Sequence, residues 1–427
     1  MELPAAFCRR MERLLGAEYK RFFESYEKPL RRGVRVNLLK TDKERFLSLF
    51  PLPLVPSPFA ADGFYLDAPH KAGGDPLFHA GAYYMQEPSA SAAVTVLSPQ
   101  VGERILDLCA APGGKSTQIA AALGGTGLLW SNEYVRARAH ILGQNSERCG
   151  VRNAVLSSSD AETLARGLPA FFDAVLVDAP CSGEGMFRKD GDAVGEWSAE
   201  NVARCIARQR DILDAAAQML CGGGRLVYST CTFEYGENEG QIADFLARHA
   251  EFSLVKQELL LPHEVRGEGH FAAVLEKRTG ARTDVRPHPV RRVPAAERAY
   301  AEFAASFFAA PPEGSVTALE GGRMFLLPAG MPALPVRTLR AGVELGTFDG
   351  KRFTPAHALA MTAKREELAR FVSLSAEEAV RYLRGETLLC EAENGWCAVG
   401  YGGCPLGLGK AVNGILKNHY PKGLRKM

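Results

Sequence analysis

Between about residues 80 and 280, short apolar runs alternate with longer stretches of helical periodicity, and no other feature of the chain restricts its fold as much. Candidate strands lie at 104–108, 127–132, 154–157, 174–177, 225–229 and 271–276, and helical patterns fill 115–123, 136–149, 203–220 and 237–250. Apolar runs separated in this way are the mark of a parallel sheet covered by its crossover helices, so the pattern predicts a doubly wound α/β domain. Such sheets bind ligands beyond the carboxyl ends of their strands.

The flanks read differently. Phe7, Met11, Leu14, Leu15, Tyr19, Phe22 and Phe23 recur at helical spacing within residues 1–30, residues 35–40 read as a strand, and prolines between 51 and 58 exclude regular structure. After residue 280 an Arg/Pro-rich linker at 282–294 leads to short strands at 315–327 and 343–353, then to a last segment at 387–408 and a basic tail. The chain is therefore expected to divide into parts at 1–80, 81–280 and 281–427, within the range set by about 100 to 200 residues per domain.

With 46% hydrophobic and 23% charged residues the composition is that of a soluble globular protein. No apolar run approaches the roughly 20 residues of a membrane span, and the start Met1-Glu2-Leu3-Pro4 does not resemble a signal peptide, so a cytoplasmic location is expected. Ten irregularly spaced cysteines without a CxxC motif fit neither a disulfide scaffold nor a zinc site. Net charge is only +2, but it is segregated. Residues 1–45 carry 12 Lys/Arg against 7 Asp/Glu, and residues 401–427 carry 5 against none, so each end is +5 and the middle is −8. Basic ends of this kind read either as a phosphate footprint or as plain solvated surface.

Chemistry-bearing segments fall at the predicted strand ends. Cys109-Ala110-Ala111-Pro112-Gly113-Gly114-Lys115 follows the first strand and runs into a helix. Its glycines admit close approach of a ligand and the helix start offers free N–H groups, although the spacing is neither GxxxxGK nor GxGxxG. Glu133, 20 residues past Gly113, stands where this fold places a carboxylate for ribose hydroxyls. Asp160 suits an adenine amino group or, equally, the cap of a helix starting at Ala161.

Two cysteines, 50 residues apart, follow the later strands: Cys181 in Asp178-Ala179-Pro180-Cys181-Ser182-Gly183-Glu184-Gly185 and Cys231 in Ser229-Thr230-Cys231-Thr232. Buried structural cysteines have apolar neighbours, whereas these sit among Asp, Pro and hydroxyls and read as reactive thiols; for each, a small buried hydrophobe is the alternative. A thiol beside a cofactor points to covalent catalysis, such as methylation of a pyrimidine at carbon 5. A thiolate adds to carbon 6, carbon 5 then takes a methyl from a sulfonium donor, and the thiolate leaves. Asp178 could donate to cytosine N3 if burial raised its pKa.

Segments 106–117, 178–190 and 226–239 resemble the signature motifs of the Nol/Nop/Sun family of S-adenosylmethionine-dependent RNA cytosine-5 methyltransferases, and residues 181–190 with Trp197 are similar to a branch acting on small-subunit ribosomal RNA. The resemblance implies a Rossmann-like class I methyltransferase domain, a small N-terminal α+β module, and a mixed C-terminal region whose last part is PUA-like and binds RNA. It implies S-adenosyl-L-methionine as cofactor, held by Cys109, Ala110, Ala111, Pro112, Gly113, Gly114, Lys115, Glu133, Asp160 and Asp178. It assigns Cys231 as nucleophile and Cys181 to product release, and leaves Asp178 to serve cofactor or base. Lys40 and Gln86 fall in matching segments and are expected to approach the RNA or its flipped base, while His270 stands where the family usually has an aromatic.

The implied substrate is ribosomal RNA or a small-subunit particle, with transfer RNA as the alternative, and the enzyme is expected to act as a monomer. A DNA cytosine-5 methyltransferase, in which Cys181 would attack, is opposed by Cys231 and by the lack of a large target-recognition insertion. An inactive RNA-binding factor is opposed by the intact cysteines and Gly loop.

Overall fold

The computed structural model describes the chain except residues 1–2, 31, 190, 285, 334–336 and 426–427, so Asp190 of the loop motif and Lys426 of the basic tail lie outside the described residues. An N-terminal sheet is made by β1 (Gly33–Val36), β2 (Val55–Pro56), β3 (Gly63–Tyr65) and β4 (Tyr83–Met85), in the order β2-β3-β1-β4. The expected strand 35–40 stops at Val36 because Asn37 turns the chain: its carbonyl accepts from Lys40 N at 2.9 Å and its side chain from Leu39 N at 3.2 Å.

The central strands are β5 (Arg104–Asp107), β6 (Leu128–Asn132), β7 (Ala154–Ser157), β8 (Phe172–Asp178), β9 (Leu220–Thr230), β10 (Phe252–Leu260) and β11 (His270–Lys277). β5 to β9 are parallel, and β11 and β10 continue the sheet antiparallel beyond β9. Their order, β10-β11-β9-β8-β5-β6-β7, reverses direction at β5, which opens a crevice above its carboxyl end. Apolar residues bury both faces, Leu106, Trp130, Val175 and Tyr228 on one side and Ile105, Leu129, Leu176 and Val227 on the other. The sequence pattern missed β10, whose exposed edge alternates with charge rather than forming an apolar run.

The C-terminal third adds β12 (Ser315–Ala318), β13 (Arg323–Leu327), β14 (Thr338–Ala341), β15 (Val343–Phe348), β16 (Phe353–Pro355), β17 (Phe371–Leu374), β18 (Leu388–Leu389), β19 (Gly395–Tyr401), β20 (Cys404–Val412) and β21 (Ile415–Asn418). Here the structure departs from a clean division at residue 280. β14 pairs antiparallel with β7 and becomes the eighth strand of the central sheet, closing an edge that would otherwise present unpaired backbone. β12-β13-β15-β16 and β17-β19-β20-β21-β18 form two further sheets.

The N-terminal region is divided too. Its sheet shares a core with the last sheet, where Val34, Phe46 and Phe64 pack with Tyr382, Val399 and Leu406. Its helices, Ala5–Leu15 and Tyr19–Ser25, instead lie on the central domain through Phe7, Met11 and Phe22 against Phe187, Phe233 and Leu261. Among the described residues no helix is long and apolar enough to cross a membrane.

Candidate active site

Asp178 and Ser229 are register partners at the ends of the adjacent parallel strands β8 and β9. Because both strands run the same way, the short extensions that follow them leave together, and they bring the Cys181 and Cys231 sulfurs to 3.4 Å. The backbone holds the pair: Ala179 N donates to Ser229 O at 2.8 Å, and Gly185 N donates to Cys231 O at 2.8 Å. A Cβ at Gly185 would lie 3.0 Å from that same carbonyl, so only glycine lets the two loops close.

A buried polar cluster fixes both loops. The Glu237 carboxylate accepts from Ser182 N at 3.0 Å, from the Ser182 hydroxyl and from Gln209 Nε2 at 2.8 Å, and Gln209 also donates to Pro180 O at 3.0 Å. Glu184 accepts from Arg10 at 2.6 Å, from Trp197 Nε1 at 2.8 Å and from Phe233 N at 3.1 Å, which ties the first helix to the segment after Cys231. The sequence named none of these as site residues, although Ser182 and Glu184 stand in the Cys181 motif and Trp197 in the family resemblance.

The hydrogen bond with Cys231, then burial, raises the Cys181 thiol well above its ordinary pKa, and the two sulfurs stand within hydrogen-bond reach, where either can be the donor. Asp178 accepts from Lys115 Nζ at 2.7 Å and from Ser229 Oγ at 2.8 Å. Burial alone would raise its carboxyl pKa, but the ammonium and these hydrogen bonds outweigh burial and hold it below the usual range. The condition for Asp178 to donate to N3 is thus reversed: it stands ionised, as an acceptor. Lys115 is raised in turn, Asp178 overcoming burial with a smaller contribution from Cys231.

The expected cofactor segment, residues 109–115, leaves β5 and enters the helix Gly114–Ala122 through Gly113 at φ +113°. Arg138 and Asn145 donate to the Ala111 and Pro112 carbonyls at 3.0 and 2.9 Å, and Arg35 of β1 reaches Gly114 O at 2.7 Å. Ala110 is buried and Cys109 half-buried, and burial pushes the Cys109 thiol up. Glu133 follows β6, accepts from Val135 N at 2.8 Å and faces Arg138 at 3.4 Å. Asp160 caps the helix Ala161–Gly167, accepting from Thr163 N at 2.7 Å, which holds its carboxyl low.

Gln86 lies beside the glycine loop, bonded by Arg35 Nε at 3.2 Å, and lines a cavity of about 300 Å³ with Arg32, Glu87, Lys189 and Glu268. His270 Nδ1 meets Ser89 Oγ at 3.0 Å and lies 3.6 Å from the Glu87 carboxylate. Lys40 departs from expectation. The turn at Asn37 buries its side chain against the C-terminal region, where its amine donates to Met361 O, and burial lowers its pKa to about 8.

Residues 94–297 match the family described as 16S rRNA methyltransferase RsmB/F, and residues 3–88, 302–362 and 369–426 match the N-terminal, first C-terminal and PUA domains of RsmF. Ribosomal RNA small subunit methyltransferase F of Klebsiella pneumoniae (strain 342) is 34% identical, over 99% of this chain and 96% of the relative. The chain belongs to the RsmF family of 16S ribosomal RNA methyltransferases.

The RsmF relative from Vibrio vulnificus (strain YJ016) is 32% identical over 99% of this chain and 97% of its own. Among solved structures, a methyltransferase homolog from Pyrococcus horikoshii superposes with TM-score 0.58 and 29% identity, over 64% of this chain and 94% of that one. As in the rest of this family, the enzyme is an S-adenosylmethionine-dependent ribosomal RNA methyltransferase with a class I fold and a PUA-like C-terminal domain. The crevice fits that cofactor: Lys115 and Asp178 present complementary charges for an amino-acid end, Glu133 presents a carboxylate, and beneath the loop Asp107 Oδ1 is buried with no partner among the described residues.

Proposed function

We propose that the enzyme methylates carbon 5 of a cytosine in 16S ribosomal RNA, in the cytoplasm, through a covalent bond from Cys231. The observation that carries this reading is the 3.4 Å pair of sulfurs at the ends of neighbouring strands. Residues 109–115, Glu133 and Asp178 would hold S-adenosylmethionine, and Asp160 would join them from its exposed place after β7, although both its oxygens accept from Thr163. When bound, the cofactor supplies a methyl group on a sulfonium.

Cys231 Sγ bonds to carbon 6 of the unstacked base, which makes carbon 5 nucleophilic toward that methyl. After transfer, solvent water takes the carbon 5 proton, the electron pair of that C–H bond restores C5=C6, and the C6–S bond breaks toward sulfur. Cys181 protonates the departing Cys231 thiolate and regains a proton from the water that took it from carbon 5. Asp178, ionised, orients Lys115 and accepts an N–H from cofactor or base. The division at 1–80, 81–280 and 281–427 remains a working description, supported by the separate sheets and qualified by β14.

Bisulfite mapping of 16S ribosomal RNA from cells with and without the gene tests the substrate; an unchanged 5-methylcytosine pattern would falsify it. Cys181→Ala should trap a denaturation-resistant enzyme–RNA adduct and Cys231→Ala should form none. An adduct in the second variant alone would reverse the two roles.

A further inference from the structure

β11 begins at His270, and its first residues run beside the end of β9. Phe271 is the register partner of Thr230, so one step further His270 stands opposite Cys231. Ala272 is the partner of Ser229, and side chains alternate along a strand, so His270 projects on the face that carries Ser229 and, through the Ser229 hydroxyl, Asp178. The loop of Cys181 reaches the same point, because a Cβ at Gly185 would lie 3.0 Å from the carbonyls of both Cys231 and Gly269.

The buried ring is held through one nitrogen. The Glu87 carboxylate accepts from the Ser89 hydroxyl at 2.6 Å and from the N–H groups of Ser89, Ala90 and Glu268 at 3.0, 2.9 and 3.1 Å. Ser89 has a single hydroxyl proton and gives it to Glu87, so its oxygen can only accept from His270 Nδ1, 3.0 Å away. That fixes the tautomer. Nδ1 carries the hydrogen, and Nε2 keeps a bare lone pair with no partner among the described residues. The charged groups that face the ring are Glu87, Lys115, Asp178 and Lys189. Burial, helped by the two lysines, outweighs both carboxylates and holds the ring's pKa below its ordinary value, so the imidazole is neutral near neutral pH. Neither carboxylate is a comparable base: against burial, Lys115 and Ser229 hold Asp178 low, and both Glu87 oxygens are taken by donors.

We propose that His270 is the general base for the carbon 5 proton, acting through one water held on Nε2. The C5–H bond breaks, its electron pair forms C5=C6, and the C6–S pair returns to Cys231, while the proton passes to that water and the water gives one to Nε2. Cys181 protonates the Cys231 thiolate. The imidazolium returns its proton through the same water to Cys181, so both thiols and the ring end as they began. The inference rests on the reading that carbon 5 of cytosine is methylated, and it names the group that completes the proton circuit of that reaction.

The test follows two labels in single turnovers with full-length enzyme in excess: tritium leaving carbon 5 of cytidine in 16S ribosomal RNA from cells lacking the gene, and labelled methyl arriving from S-adenosylmethionine. In His270→Ala, and in His270→Phe, which keeps the bulk of the ring, tritium release should fall about 10²-fold while methyl arrival stays within about threefold of wild type. A methylated enzyme–RNA adduct should accumulate in both. Imidazole added to His270→Ala should restore tritium release, which a merely structural residue would not allow. Wild-type release should fall as pH drops through the lowered pKa of the ring, and the variants should lose that dependence. Tritium release at the wild-type rate in both variants would overturn the proposal, as would equal loss of both labels in His270→Phe. Wild-type enzyme that transfers methyl without releasing tritium would instead remove the carbon 5 reading, and the role of His270 with it.

Discussion

The Lys115–Asp178 ion pair sets the charge of the site, and Asp178→Asn measures what it contributes. At 2.7 Å the pair attracts with ~6 kcal/mol at an effective dielectric of ~20, most of which offsets the burial of both charges. Removing the carboxylate leaves the Lys115 ammonium, whose side chain is 11% exposed, without its partner. A fully buried broken pair costs ~3–5 kcal/mol, and because the Asp178 side chain retains 31% exposure we expect about 2 kcal/mol. The sign with pH follows from the depressed carboxyl. Asp178 has a lower pKa folded than unfolded, so its stabilisation is complete above the ordinary value of 3.8 and is lost as pH falls through the lower folded value. Urea unfolding at pH 7 and at intervals below pH 4 should show a wild-type advantage that shrinks on acidification. A variant within about 0.5 kcal/mol of wild type at pH 7, or a difference that grows with acid, would refute the reasoning.

Three other outcomes are expected. Phe22→Ala empties a fully buried site against Phe233, 5.6 Å away, and should cost ~3–5 kcal/mol while lowering activity, because Phe233 lies two residues past Cys231; calorimetry with a methyl-transfer assay checks both. The Lys40 amine, at about 8 when folded against 10.5 unfolded, destabilises less as pH rises, so wild type should gain up to about 3 kcal/mol between pH 8 and 10.5 relative to Lys40→Met; unfolding curves that stay parallel would contradict the burial argument. Diamide should join Cys181 and Cys231, whose sulfurs are 3.4 Å apart, with activity returning on reduction, and peptide mass analysis would reveal any other pairing.

The central sheet was legible because its strands are buried on both faces and therefore appear as unbroken apolar runs; 154–157 coincides with β7 to the residue. β10 escaped notice because it is an edge strand with exposed charges, and β14 because Thr338–Ala341, half-buried throughout and carrying Arg340, forms no apolar run. The glycine loop and both cysteines could be found from local residue types. Glu237, Gln209 and Glu184 could not, since a buried carboxylate among hydroxyls looks like any polar residue until its donors are placed around it. Lys40 differs for the converse reason: its place in a matching segment led to the expectation that it approaches the RNA or its flipped base, and only the turn at Asn37 buries it.

By itself the sequence determined the alternation that builds the sheet, the loop at its first strand end and the presence of two thiols at later ones, because periodicity and local residue chemistry act over a few neighbouring residues. Tertiary structure decided that the two sulfurs meet, that the Asp178 carboxyl is held low and that the N-terminal sheet packs on the last one. Those depend on distances between residues far apart in sequence: 50 positions separate Cys181 from Cys231 and 63 separate Lys115 from Asp178. Hydrogen bonding, ion pairing and burial act only across the contacts that folding creates.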